Sequence, residues 1–563
     1  MLDIFVQVSK YLLIILMALY TINAVLLLMV SEPEKRKSYV DRETFLMVLF
    51  NVLAFAVLYL ASRDQRMLYI AGGVLGYSLV IQYLYRIIYK KASIALVNTM
   101  CMLLSTGFVI QSRLGTTTAL KQLIIVIIAS ILCLAIPVFV RRVKVMRNLP
   151  VVYAVLGILL LAGVFALGRV SGGANLSLTI GGISFQFSEF VKITFVFFIA
   201  GMLQKDTGFR QVCIVTVLAA IHVLILVMSK DLGAALIYFV AYIVMVCVAS
   251  RQPGYAAIGI GGMAAASVLA YRLFAHVRVR VQVWRDPFAD YEGTGYQVVQ
   301  ALFGVCAGGW FGTGLFAGNP DMIPVAIEDF TFAAICEEMG VIFGILLIFV
   351  CMSMYLQIVT ISTKLSNPFY RLVAIGLGTE YAFQVFLTVG GNTKFIPMTG
   401  ITLPLVSYGG SSIMCTLIML SIIQGLYMIR EDEDKDRALL EEIIRRQNMK
   451  ERQINSRRRS ARAQKSSSGA SGQGKTMFFR RSEASGIGAT KVSAAPSGKA
   501  GKRSNTGKKM IRKASPEINA DIQEHREAYE ELMRKIPSAE KENIDIDELT
   551  KRIQDETEKS LNY

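Results

Sequence analysis

Three carboxylates, Asp329, Glu337 and Glu338, stand within ten residues of one another in the stretch Pro324 to Gly340, between two strongly apolar segments. An ionised side chain in hydrocarbon costs roughly 2.5–3.5 kcal/mol, so a chain that keeps three acids there has a use for at least one. Asp329, at the mouth of a membrane helix, is the leading candidate for chemistry. Aspartate is also a favoured helix N-cap, and Asp329 directly precedes a helix expected from Phe330; the two roles are compatible. Glu337, eight residues on, is expected about 12 Å deeper and within about 80° of Asp329 around that helix, with Glu338 facing the other way. Both glutamates read as ionic pins to other helices, with Lys192 and Arg371 as partners.

Basic residues fall in two loops: Arg278, Arg280 and Arg285 in one, Lys394 in the other. Alternation of apolar and polar residues over 276–283 reads as an extended segment with Arg278, Arg280 and Gln282 on one side. An amphipathic segment lying on the membrane surface is the plainer alternative. Asp286, before Pro287, reads as a turn former; together with Asp290 it is compatible with a divalent cation. Asp231 reads either as the cap of the following helix or as part of the cavity. Glu189 and Lys192, spaced i,i+3, can pair with each other. No metal or other cofactor is identified: the three histidines (222, 276, 525) are scattered, and the eight cysteines form no CxxC pair.

The elements that must position these groups are membrane helices. The chain has 563 residues, 54% of them hydrophobic, and a mean hydropathy of +0.50, which excludes an ordinary soluble domain. Thirteen apolar windows are expected to cross a bilayer, near 5–30, 44–61, 68–89, 94–111, 122–140, 150–168, 187–204, 212–229, 231–249, 254–273, 330–357, 369–391 and 405–429. Only helices satisfy their own backbone at this density, so the fold class is an all-α polytopic membrane protein. The first 30 residues read as a span and not as a cleavable signal, since Asp3 precedes the apolar run and no basic n-region or small-residue cleavage site is present. Basic clusters at 35–37, 90–91, 141–147, 205–210, Arg251, Lys364 and Arg371 fall on alternate loops, placing those loops in the cytoplasm, the N-terminus outside, and Asp329 on the outer side. Residues 441–520 carry 20 basic against 5 acidic residues. That segment, set in Ser/Gly/Ala filler, reads as a disordered cytoplasmic tail suited to anionic lipid headgroups and not to nucleic acid. Short helices are expected within 517–560.

Residues 94–430 resemble the SEDS family (shape, elongation, division and sporulation), the RodA, FtsW and SpoVE group of cell-wall polymerases. Four ordered motifs carry the resemblance: Arg280 through Asp286-Pro287 and Asp290 to Gly295-Tyr296-Gln297; Gly308-Gly309 through Gly312 to Gly314; Pro324 through Asp329-Phe330 and Glu337-Glu338 to Gly340; and Pro397 through Thr399-Gly400, Leu403-Pro404 and Ser407-Tyr408-Gly409-Gly410 to Ser412. The chain departs from the family pattern at Phe187, Ala301 and Ser177, where proline, serine and tryptophan are usual. The resemblance implies a ten-helix core, three additional helices over 1–93, and a tail over 431–563. It also implies polymerisation of lipid II into glycan strands beside a class B penicillin-binding protein, for elongation or division. The proposed alternative for the family is a flippase of lipid-linked precursors. By this resemblance Asp329 is the catalytic base, while Arg280, Arg278, Lys394, Asp231, Gln297 and Ser407 are expected at the substrate. Glu337, Glu338, Glu189 and Lys192 are expected as structural pins.

Overall fold

In the computed structural model, the described residues are 2–469, apart from 31, 168, 172–173 and 181–182. The chain divides into two units, Met1–Ala463 and Gln464–Tyr563, and every membrane-length stretch found among the described residues lies in the first. The tail helices expected within 517–560 lie outside the described residues.

Among the described residues, sixteen α-helices succeed one another: α1 (Leu2–Met29), α2 (Pro33–Ser62), α3 (Arg66–Ile88), α4 (Ile94–Leu114), α5 (Thr116–Cys133), α6 (Ile136–Arg142), α7 (Pro150–Leu167), α8 (Phe187–Leu203), α9 (Phe209–Met228), α10 (Leu232–Ser250), α11 (Gly254–Leu273), α12 (Ala275–Arg285), α13 (Tyr296–Gly308), α14 (Thr331–Lys364), α15 (Pro368–Asn392) and α16 (Gly410–Gly469). Eleven stretches among them are long and apolar enough to cross a membrane. Of the thirteen windows expected from hydropathy, those at α7 and α8 form helices of 18 and 17 residues. They are joined by a small antiparallel sheet, β1 (Arg169–Ser171), β2 (Ala174–Ile180) and β3 (Ile183–Phe185), in the order β1-β2-β3. The chain is a multi-pass membrane protein.

Local signals set the boundaries. Ser93 caps α4 through Leu96 N (3.4 Å), and Asn367 caps α15 through Phe369 N (2.9 Å), with Pro368 at the first helical position. Helix α4 is buried almost throughout, packed against α2, α3, α5 and α14. Helix α16 continues beyond the membrane window as far as Gly469, into the segment 441–520 that was expected to be disordered. Ion pairs at i,i+4 spacing, Arg430–Asp434 and Arg446–Glu442, support the extension.

Two further segments differ from the sequence reading. Residues 275–285 form a helix, not an extended strand; the Val/Arg alternation yields to an amphipathic helix with one face on the protein, since β-propensity is weak against tertiary packing. Helix α14 is broken at Gly340 (φ 90°, ψ 162°). Only the part Val341–Lys364 is a membrane-length span; Thr331 to Met339 is a buried half-helix that enters and stops.

The break is closed by the glycine-rich turn after α13. Thr313 N and Gly314 N donate to the carbonyls of Glu337 and Glu338 (both 2.9 Å), while Val341 N and Ile342 N donate to the carbonyls of Gly309 and Trp310 (2.9 and 3.2 Å). A β-carbon at Gly340 would lie 2.4 Å from Gly312 N, and one at Gly312 (φ 79°) would lie 2.3 Å from the Glu338 carbonyl oxygen. Both glycines are needed for their backbone conformation and for this approach. Gly340→Ala is therefore expected to lower the melting temperature of the purified protein or abolish its folding. Gly163→Ala, where nothing lies within 4 Å, should leave the melting temperature unchanged or raise it slightly.

Candidate active site

Four segments converge at the end of the bundle where the half-helix begins. Helix α12 supplies Arg280 and Trp284, the first turn of α13 supplies Gln297, the turn before α14 supplies Asp329, and the connector from α15 to α16 supplies Lys394 and Gly400. Together they line a cleft of about 160 Å3. Gly400 (φ 73°) marks the meeting point: a β-carbon there would lie 3.7 Å from Asp329 Oδ2 and 4.0 Å from Arg280 Nη2. Arg280 is fixed by donating from Nη1 to the Thr399 carbonyl (3.1 Å), and Trp284 by donating from Nε1 to the Lys394 carbonyl (3.1 Å). Lys394, in the cleft lining, takes a left-handed backbone angle (φ 57°), a conformation that costs a non-glycine residue of order 1–3 kcal/mol.

Asp329 is not the cap of α14. Phe330 occupies the N-cap position, and no side chain there caps the helix. The half-buried Asp329 carboxylate accepts no hydrogen bond from the described residues. Burial pushes its pKa up to about 6; the neighbouring Glu328 charge adds to this and the Arg280 guanidinium opposes it. Burial in turn lowers the Arg280 pKa, and Asp329 and Asp231 hold it up. An acid with this affinity is ionised at neutral pH and still basic enough to accept a proton from a hydroxyl.

Asn392, which the sequence reading passed over, holds the Asp329 peptide in place. It is 1% exposed; its Nδ2 donates to the carbonyls of Asp329 and Thr388 (both 2.8 Å), and its Oδ1 accepts from Ala333 N (3.1 Å) in the first turn of α14. A half-helix without a cap of its own is thus capped from the end of α15. A polar residue closing an apolar span was the only available signal.

The remaining expected site residues fall elsewhere. Arg278 is exposed on another face of α12, because helical spacing separates it from Arg280. Asp231 is buried as the cap of α10, accepting from Ala234 N and Ser188 Oγ (both 3.1 Å). It influences the cleft through its charge on Arg280. Ser407, 2% exposed, donates to Thr331 Oγ1 and accepts from Leu403 N (both 3.0 Å), so it belongs to the scaffold. Asp286 and Asp290 are engaged in local turns, with Phe288 N (3.1 Å) and Thr294 N (2.8 Å) respectively.

The glutamates pair with neither Lys192 nor Arg371. Arg113, at the end of α4, donates from Nε to Glu338 (2.8 Å), from Nη1 to Asp321 (2.9 Å) and from Nη2 to the Gly318 carbonyl (3.2 Å). Glu337 accepts from Asn319 N (2.6 Å). Both acids therefore tie the broken end of the half-helix to the loop that closes it. Lys192 pairs with Glu189 (2.6 Å) and donates to Gln384 (2.9 Å), beside the buried Glu380; Arg371 binds the Leu365 carbonyl.

Because the folded state raises the Asp329 pKa, protonated Asp329 favours folding fully below about pH 4, and this contribution is lost as pH rises through about 6. Asp329→Asn should therefore melt higher than wild type above pH 6, with the difference vanishing below about pH 4. Asn392→Leu, which strips two carbonyls and one amide of their partner, should lower the melting temperature throughout that range.

The family model for cell cycle proteins of the FtsW, RodA and SpoVE type matches residues 86–431. The peptidoglycan glycosyltransferase RodA of Mycobacterium tuberculosis (strain ATCC 25618 / H37Rv) is 39% identical over 269 residues, covering 45% of this chain and 57% of that protein. The probable peptidoglycan glycosyltransferase FtsW of Aliivibrio salmonicida is 32% identical over 284 residues, 48% of this chain and 70% of its own length. This chain thus spans little more than half the length of the mycobacterial relatives. A solved structure from a peptidoglycan synthase complex that coordinates polymerization and crosslinking shares the fold, with a TM-score of 0.53 at 24% identity over 60% of this chain and 98% of that one.

Proposed function

Because this chain belongs to the FtsW, RodA and SpoVE family of cell cycle proteins, we propose that it is a glycosyltransferase that polymerises lipid II at the outer face of the cytoplasmic membrane. The observation that carries the reading is the convergence of Asp329 and Arg280 on Gly400 in one cleft. In the proposed reaction, Asp329 removes the proton from a sugar hydroxyl of the acceptor as its oxygen bonds to the anomeric carbon of the donor. The bond from that carbon to undecaprenyl pyrophosphate breaks, and Arg280 and Lys394 hold the charge gathering on the leaving group. Gln297 and Trp284 line the same cleft and supply a polar and an apolar contact for the sugars.

The basic loops supply the orientation within this reading: N-terminus outside, C-terminus in the cytoplasm. The relation to a synthase complex supports a class B penicillin-binding protein as crosslinking partner, and the basic tail supports contact with anionic lipid. The deep polar groups that a flippase would use are packed: Glu189 pairs with Lys192, and the cavity beside Lys192 and Glu380 has room for about one water.

Purified full-length protein, supplied with labelled lipid II and its crosslinking partner, should produce glycan strands. Asp329→Asn should reduce the rate by about 10²–10⁴-fold, the range for a lost general base. The rate should fall on the acid side with a midpoint near pH 6. Glu328→Gln removes a charge that raises the Asp329 pKa, so this midpoint should move to lower pH. Normal glycan synthesis by Asp329→Asn contradicts the assignment.

A further inference from the structure

Helix α1 lies outside the matched family region, yet it packs against α14 and sends one face onto the turn that closes the broken helix. Four residues of α1 at helical spacing meet four consecutive residues of that turn. The Tyr11 ring lies 5.4 Å from the Phe311 ring, and Lys10 Nζ donates to the Gly312 carbonyl (2.9 Å). Gln7 Nε2 donates to the Thr313 carbonyl (2.9 Å). Val6 covers Gly314, where a β-carbon would lie 2.9 Å from Val6 Cγ1. The amides of Thr313 and Gly314 point the other way, to the carbonyls of Glu337 and Glu338. In this non-helical strip the amides of Thr313 and Gly314 are satisfied by α14, and the carbonyls of Gly312 and Thr313 by α1. Such backbone persists at membrane depth only when covered by protein. Lys10 is the single basic residue in the 28 residues of α1, and it pairs with a carbonyl oxygen of this turn.

We infer that α1 is a built-in support of the active site, with Lys10 and Gln7 as positioning residues that act through 312–314 on the half-helix following Asp329. The chain of contacts is short. Lys10 and Gln7 hold the turn, the turn holds the end of the half-helix at Gly340, and the half-helix starts two residues after Asp329. The effect on catalysis rests on the function proposed above; the effect on the turn does not.

The test uses the full-length protein in phosphatidylethanolamine/phosphatidylglycerol nanodiscs, comparing wild type, Lys10→Met/Gln7→Leu and Lys10→Arg by amide hydrogen exchange and glycan synthesis. A hydrogen bond from a charged donor contributes about 1.5–3 kcal/mol, so exchange over 309–316 and 337–342 should rise about tenfold or more in the double variant. It should stay near wild type in Lys10→Arg. The turnover number should fall by a similar factor in the double variant, with the Michaelis constant for lipid II changed less than about twofold, as for a group acting mainly in the transition state. Unchanged exchange in the turn, or a uniform rise through α14 and α15, would overturn the inference and leave Lys10 as a headgroup anchor. Increased exchange confined to the turn, in a protein whose wild type makes no glycan, would support the inference and reject the proposed function instead.

Discussion

Backbone polarity inside a membrane is the constraint on which this structure depends. A helix broken at Gly340 leaves amides and carbonyls on both sides of the break without intrahelical partners. The turn 309–314 supplies their partners, and four backbone hydrogen bonds lock the two segments together. The match works only because Gly308, Gly312 and Gly340 carry no side chain at the contact. Once the break is closed, the half-helix is a rigid element with one end fixed by Arg113, Glu337 and Glu338 and the other by Asn392. Asp329 sits at that second end.

This arrangement separates two uses of acidic side chains. Glu337 and Glu338 are held by donors from the loop and from α4, so they stabilise geometry. Asp329 has no such donor among the described residues, and its carboxylate faces a cleft whose other wall carries Arg280. Removing it from water raises its proton affinity, and the guanidinium limits the rise. A buried carboxylate with too many donors would be a weak base, and one with no cation nearby would stay protonated. Asp329, shielded and facing one guanidinium, lies between these limits.

Much of this was legible in the sequence, for reasons that differ by residue. Hydropathy located the helices because bilayer thickness fixes their length. Gly308, Gly312 and Gly340 stood in the family motifs, but their close backbone approach is seen only in the structure. The cation partners were not legible. Arg113 lies 225 positions from Glu338, and nothing local distinguishes it from Lys192 or Arg371 as a partner. Arg278 was grouped with Arg280 because alternation was read as a strand, whereas tertiary contact made that segment a helix. Ser407 sits in a glycine-rich signature, but its hydroxyl is occupied by Thr331 and Leu403, a matter of packing with no sequence signal. Asn392 was missed because its role exists only once α15 reaches the start of α14.

Infrared difference spectroscopy of wild type against Asp329→Asn, titrated in lipid, addresses the central claim directly by tracking the protonated carboxyl stretch that disappears in the variant. A band that titrates with a midpoint near pH 6 is the predicted result. A midpoint at the ordinary aspartate value of about 4 would show a solvated acid with no special environment, and would contradict the account.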